Sequence, residues 1–550
     1  MAKTSTKFSF DADLLPVQQL TAGSLTCLYE NGNLRYIKWA GEEIIRMIYP
    51  AVRDHDWATA TYEITDEVVN KEADCFSIRY TAHYSLNDIR YKATIRIEAT
   101  VDQLSATMEG VAQSSFLRNR IGFCVHHPVP PCAGKSVQIT HPDGSQTTAF
   151  FPREISPHQP FLKMAEMVWQ TATGATIKVQ FEGDVFETED QRNWTDHSFK
   201  TYSTPLAVPY PVLVNGGDTV FQKITITVQG SQEQNNLAPM AAVEEIERLP
   251  FPFIGYERVP GLTPLTAEEL ALLQEVIFDH YRVVLHLSTE RWAEELTQAA
   301  AEAALLHVPI ELVVFLSSNL NADIATLSKN LQRISQQVGS VLLLQEDKKV
   351  TPPELMITTY PVLKSQLPQV KIGFGTDGFF AELNRNRPAT DLPFDFISYS
   401  VNPQVHATDT RTLMENLQAQ GDTVSLVQSF APGKEVFVSP VTFKIRNQEG
   451  APSAADADIR MYTSFGAMWT LLSIQQLAAA DRITFYQTTG YRGVLANGGR
   501  QPLFELLKQM KSFATKWIIR DKREPYVVRL ENEKGEERMF SFDRLPMMEN

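Results

Sequence analysis

Two stretches of the chain concentrate side chains that move protons. One reads Thr376-Asp377-Gly378-Phe379-Phe380-Ala381-Glu382-Leu383-Asn384-Arg385, the other Ser400-Val401-Asn402-Pro403-Gln404-Val405-His406. A carboxylate and an imidazole brought together exchange protons near neutral pH, each tuned by burial and by its neighbours. Glu382 is therefore the candidate general base or acid, His406 its proton partner, and Asp377 an orienting or second acidic group. Asn384, Asn402, Gln404 and Tyr399 are candidate hydrogen-bond partners for a substrate rich in hydroxyls. The same residues admit a plainer role. Arg385 and Arg387 can pair with Glu382 or Asp391 on a loop surface, and His406 can donate to a carbonyl within a turn.

Both stretches follow short apolar runs rich in Val, Ile and Phe. The runs are Phe253–Tyr256, Val283–Leu287, Leu312–Leu316, Val341–Leu344, Lys371–Gly375, Phe394–Tyr399, Val436–Val438 and Arg482–Tyr486. Amphipathic helices separate them. Trp292, Leu296, Ala299, Ala303 and Leu306 fall on one helical face, and Ile324, Leu327, Leu331, Ile334 and Val338 on another. Thr266 and Glu269 form a capping box. Continuous apolar strands alternating with helices require a parallel sheet covered by helices. About eight such units over about 250 residues predict a (β/α)8 TIM-type barrel. An open doubly wound sheet is the rival, but no GxGxxG fingerprint supports it. Barrels of this kind carry their chemistry at the C-terminal strand ends. That rule adds Glu257 after the first strand, Ser288 after the second, and Gln345, Glu346 and Asp347 after the fourth.

Residues 20–230 have a different texture. Phe76–Tyr84, Tyr91–Glu98, Ala175–Phe181 and Val220–Val228 alternate apolar and polar side chains, and Asn31-Gly32 between two such runs predicts a type I′ hairpin. The expected architecture is multidomain, α/β plus all-β. It comprises an N-terminal antiparallel β-sandwich of supersandwich type (1–235), a joint over 231–253, the barrel (250–515) and a short C-terminal β-hairpin (516–550) packing on the barrel or sandwich. Within the sandwich, Arg192-Asn193-Trp194-Thr195-Asp196 is costly to bury unpaired. It is either a satisfied polar network or an edge over the barrel mouth that offers Arg192, Asn193, Asp196 and Lys200 to substrate. Arg118 and Arg120 have the same two readings, and an arginine there suits a carboxylate product.

Composition removes several classes. The 550 residues hold 50 Lys+Arg against 65 Asp+Glu, a net charge of −15. That balance argues against a nucleic-acid binder. No apolar run approaches the ~18 residues that span a bilayer, and no secretory signal opens the chain. Cys27, Cys75, Cys124 and Cys132 are too sparse for a disulfide framework and read as free thiols of a cytoplasmic protein. His126-His127 lacks an HExxH context, so no metal site is expected. No cofactor is called for, and a carboxylate-rich mouth permits a divalent ion without requiring one. The chemistry suggests a small-molecule partner, with neither nucleic acid nor membrane, and leaves a homo-oligomer open.

Paired carboxylates at barrel strand ends first suggest a glycosidase. The large barrel glycosidase superfamily has Asn-Glu after strand four and Glu at the end of strand seven. This chain has Leu344-Gln-Glu-Asp347 at the first position and Val438-Ser-Pro-Val-Thr442, without a carboxylate, at the second. Four further stretches resemble the D-apionate lactonase family of bacterial apiose catabolism. They are Gly41–Arg46 with Ala51–Asp54 and Trp57; Phe116–Val125; Gln191–Tyr202; and Phe380–Pro388 with Asn402–His406. The similarity runs through nearly the whole chain. It implies hydrolysis of D-apionolactone to D-apionate by a β-sandwich, barrel and β-tail protein, without supplying catalytic residues. Lactone hydrolysis needs a general base, donors for an oxyanion and an acid for the leaving ring alcohol. No Gly-x-Ser-x-Gly elbow favours a serine nucleophile. The alternatives are a glycoside hydrolase acting on apiose-containing glycans and a non-catalytic sugar-binding barrel.

Overall fold

A computed structural model describes residues 3–230, 246–446, 457–496 and 500–543. Most of the expected joint, 231–245, lies outside them. The chain divides into two units: Leu14–Arg192 with His197–Ala241, and Met1–Asp13 with Asn193–Asp196 and Ala242–Asn550.

Alternation with a period of two builds the first unit. Its strands form two nine-stranded antiparallel sheets, and one apolar face of each enters a common core that includes Tyr80, Ile95, Phe123, Phe151 and Ile226. Asn31 and Gly32 both adopt positive φ, 44° and 84°, between Leu25–Glu30 and Asn33–Trp39, as a type I′ turn requires. Tyr80 donates its hydroxyl to the Gly32 carbonyl at 2.7 Å and pins that turn to the opposite sheet.

The second unit contains a closed barrel of eight parallel strands. They are Phe253–Glu257, His280–His286, Ile310–Leu316, Val338–Gln345, Lys371–Phe379, Phe396–Val401, Glu435–Val441 and Arg482–Gln487. Outward side chains meet the helices. Glu302, on Trp292–Leu306, accepts from Arg258 and from the Tyr281 hydroxyl. Inward, Val313, Leu342, Leu344, Phe396 and Phe437 pack together with Val284 and Phe315. Two glycines make this interior possible. A Cβ on Gly373 would lie 2.2 Å from the Phe396 ring, and one on Gly255 would lie 2.3 Å from His280 Nε2.

Two expectations change. The helix over 324–338 stops at Arg333, and Val338 already begins the fourth barrel strand. The N-terminal residues leave the sandwich: Lys3–Phe8 pairs in parallel with Glu537–Phe542. The tail hairpin, Val528–Asn532 with Glu537–Phe542, is thereby part of a five-stranded sheet completed by Thr515–Asp521 and Ile246–Pro250.

Candidate active site

The second barrel strand sets the floor of the mouth. His280, Arg282, Val284 and His286 share its inward face, because successive side chains alternate. Arg282 is 0% exposed. A guanidinium removed from water costs several kcal/mol unless it is paired. Glu257, at the end of the first strand, and Asp377, on the fifth, each form a close ion pair with it, and its Nε donates to Ser439 Oγ at 3.0 Å. Burial disfavours its charge, but Asp377, Glu257 and Glu311 outweigh burial and raise its pKa. Burial likewise pushes the Asp377 carboxyl up, and Arg446 and Arg282 more than reverse that, leaving it below the usual carboxylate range. Arg446 Nη1 lies 3.2 and 3.1 Å from the two Asp377 oxygens.

Deeper in the barrel, His280 Nε2 contacts Thr484 Oγ1 at 2.8 Å, and Ser439 Oγ lies 2.9 Å from the same hydroxyl. Burial, only partly countered by Glu311, lowers the His280 pKa to about 4. This imidazole is neutral and part of the core.

Above the floor, a shallow recess opens at the ends of the first, seventh and eighth strands. Glu257, Thr442, Lys444, Arg446, Gln487 and Arg492 are among its walls. Gln487 Nε2 reaches Glu257 Oε1 at 3.4 Å. Three cationic side chains thus line the recess with a single carboxylate.

The loops after the fifth and sixth strands do not join Glu382 to His406. Glu382 sits in the first turn of Phe380–Arg385 and pairs with Lys349 at 2.9 Å, the lysine being 76% exposed. His406 Nδ1 instead makes a close pair with Asp196, and Asn416 Nδ2 donates to the other Asp196 oxygen at 2.6 Å. Asn384 donates to Asn193 Oδ1 at 2.8 Å and accepts from Arg387. Trp194 meets Phe379 and His406 edge-on, under the Arg385 guanidinium. Asn193–Asp196 is therefore knitted into the barrel unit as a structural clasp. Asn402 donates to Thr442 Oγ1 at 3.0 Å, and Gln404 to the Phe443 carbonyl at 2.8 Å, so both brace the wall of the recess. Tyr399 faces the helices rather than the mouth, with its hydroxyl 2.8 Å from Thr423 Oγ1.

The other basic candidates are engaged within the sandwich. Arg192 donates to both Asp190 oxygens, at 2.9 and 2.8 Å, and to the carbonyls of Pro152, Arg153 and Glu154. Lys200 pairs with Glu189 over the Tyr202 ring. Arg120 donates to the Asn119 and Pro205 carbonyls and stacks on Trp57 and Tyr210. Arg118 is half-buried on the strand Phe116–Pro128. For Arg192, Lys200 and Arg120 these partners supply what a buried cation needs close by.

Sequence reasoning passed over Arg282, Glu311, Arg446 and Lys444. For Arg282 a signal existed: in His280-Tyr-Arg-Val-Val-Leu-His286 the polar His280, Arg282 and His286 fall on one face of an apolar run, with only Val284 between them on that face. It named Ser288 and Glu346 at their strand ends but passed over their partner, His286. His286 ends the second strand, and its Nδ1 lies 3.1 Å from Glu346 Oε1, which accepts from Ser288 Oγ at 2.8 Å. Among the described residues, no group of three or more His, Cys, Asp or Glu is placed to hold a metal ion, and no helix is long and apolar enough to cross a membrane.

The second unit is a (β/α)8 barrel of TIM type with a recess lined by charged side chains at its C-terminal strand ends, the face on which enzymes of this fold carry their sites. Residues 6–231 match the family model described as D-apionate lactonase, N-terminal domain, and residues 254–515 match its TIM barrel domain. The chain belongs to the D-apionate lactonase family and, with it, to the carboxylic-ester (lactone) hydrolases. A D-apionate lactonase of Brucella anthropi is 28% identical, over 92% of this chain and 90% of that protein. Among solved structures, an α-galactosidase of family GH36 from Geobacillus stearothermophilus in complex with stachyose aligns at 9% identity. It covers 94% of this chain and 91% of its own, at a TM-score of 0.28. A putative aldose 1-epimerase from Escherichia coli K12 aligns at 10% identity over 39% of this chain and 99% of its own, at 0.26. Likenesses this distant bear on neither fold nor chemistry.

Proposed function

We propose that this protein hydrolyses D-apionolactone to D-apionate in D-apiose catabolism, by water attack on a lactone held at the C-terminal mouth of the barrel. The observation that carries this reading is the charge arrangement of the recess: Arg446, Lys444 and Arg492 line it, beside the single carboxylate of Glu257. Attack on the carbonyl builds negative charge on its oxygen, and the product is a carboxylate. Fixed cationic donors in a half-enclosed site stabilise both. Glu257 and Gln487 offer an acceptor and an amide to substrate hydroxyls. Asp377 is an orienting group that fixes the guanidiniums of Arg282 and Arg446.

The glycosidase alternative needs one carboxylic acid kept protonated by a raised pKa. Asp377, the carboxyl at the floor of the mouth, is shifted the other way by its two arginines. It does not suit that role.

Purified protein given a panel of aldonolactones, with and without chelator, tests the reading by acid release with a pH indicator. Acid release from D-apionolactone is expected. Arg446→Met should lower kcat by about 10²–10³-fold, the effect of losing one oxyanion donor. Reducing sugar from apiosides, with no acid from any lactone, would overturn the reading.

A further inference from the structure

Water attack needs a group that takes the water's proton, and among the described residues the recess walls hold one carboxylate, Glu257, already ion-paired with Arg282, and no imidazole. We propose that His286 is that base, with Glu346 as the positioning residue that sets its tautomer. The inference rests on the lactonase reading above.

The backbone fixes where His286 looks. It follows Arg282 and Val284 on the inward face of the second strand, and Val284 packs into the barrel interior. At the strand's C-terminal end that face opens on the mouth, and the His286 side chain is 45% exposed. On that face His286 lies two alternate positions beyond Arg282, which pairs with Glu257 of the recess wall and with Asp377. The His286–Glu346 rim pair thus stands at the C-terminal end of the barrel, on the strand whose Arg282 forms the floor.

The ring is held on two sides. It stacks on Phe315, centroids 4.4 Å apart and planes 3° from parallel. Its Nδ1 faces Glu346 at 3.1 and 3.3 Å, and Ser288 anchors that carboxylate. An Nδ1–H donated to a carboxylate leaves Nε2 as the lone pair, the arrangement that makes a neutral imidazole a general base. Among the described residues Nε2 has no partner, so it is available to water and substrate. The barrel's other interior imidazole, His280, is sealed in the core.

The step balances. Water oxygen forms a bond to the lactone carbonyl carbon as His286 Nε2 takes one water proton, and the carbonyl π pair moves to oxygen. On collapse that pair re-forms the carbonyl, the bond from carbon to ring oxygen breaks, and its electrons leave on the ring oxygen. His286 returns its proton there. The new carboxylic acid loses a proton to solvent, leaving a carboxylate, an alcohol and the original imidazole.

The test measures D-apionolactone turnover by the folded His286→Ala, His286→Gln and Glu346→Gln proteins. Both His286 variants should lose about 10²–10⁴-fold in kcat, the value of a positioned base, with KM within about threefold. Added imidazole should restore part of the His286→Ala rate, which a merely structural histidine would not allow. Glu346→Gln should lower kcat about tenfold at unchanged KM. Retained kcat in His286→Ala, or a loss that imidazole leaves untouched, would overturn the proposal. A wild-type protein inert to every lactone would instead sink the lactonase reading itself.

Discussion

The Asp196–His406 pair and the Glu346–His286 pair use the same functional groups in opposite surroundings. In the first, the side chains are 5% and 14% exposed, Asn416 occupies the second carboxylate oxygen, and Trp194 packs edge-on against the ring. In the second, the side chains are 35% and 45% exposed, and one ring face lies on Phe315. A buried, fully bonded imidazole–carboxylate pair fastens chain segments together, because breaking it leaves unpaired polar groups away from water. A half-exposed pair contributes little to stability, yet it presents an oriented nitrogen to anything entering the mouth. Residue type therefore does not separate clasp from catalyst; hydration and the free valence of the ring do.

The largest effect should come from breaking the clasp. Asp196→Ala leaves His406 and Asn416 without their partner and should cost about 3 kcal/mol, read as a lower denaturant midpoint, while kcat per folded molecule stays within about threefold. A catalytic loss at full stability would invert the comparison. Glu346→Ala is the converse. Its stability should change by less than about 1 kcal/mol, whereas kcat should fall by about ten- to a hundredfold, about 1.4–2.7 kcal/mol in the activation barrier. Equilibrium unfolding and steady-state kinetics on the same preparation check both halves.

Acid separates stability from catalysis in a third way. The folded protein keeps His280 neutral down to about pH 4, while the unfolded chain protonates it near pH 6.5. Between those values the unfolded state binds the extra proton, so stability falls as pH falls, by about 1.4 kcal/mol per pH unit from this residue. Above about 6.5 its contribution is complete and flat. Urea titrations at pH 5 and 7, compared between wild type and His280→Gln, should show a smaller pH dependence in the variant; equal slopes would contradict it. The smallest effect belongs to the exposed Lys349–Glu382 pair. Glu382→Gln should change stability by less than about 1 kcal/mol and leave kcat within about threefold. A hundredfold loss there would return Glu382 to the chemistry.

Much of the frame is legible in the residues. All eight barrel strands can be read from continuous apolar runs, since a strand buried on both faces has no polar side to interrupt it. The Asn31-Gly32 hairpin and the Thr266–Glu269 capping box follow from local chemistry alone. The helix near 324–338 is overextended because Ile334 and Val338 continue the helical spacing by coincidence, across a helix end and into a strand. The site is less legible. Dense polar loops drew attention to 377–406, but the partners of Glu382 and His406 come from Lys349 and from Asp196, 210 positions away. Local sequence carries no record of such contacts.

What the sequence determined by itself is periodicity: which runs pair as antiparallel strands, which close into a parallel ring, and where the strand ends bring loops to one mouth. Those outcomes depend on side chains two, three or four positions apart, which the chain holds together at short range. Only the tertiary structure decided which charges neutralise each other. Closure of the barrel sets Arg282 among Glu257, Asp377 and Ser439 from three other strands, and it sets a strand-end histidine against a carboxylate from two strands away. Electrostatic pairing depends on distance in space, and in a closed barrel the nearest charges are far apart along the chain.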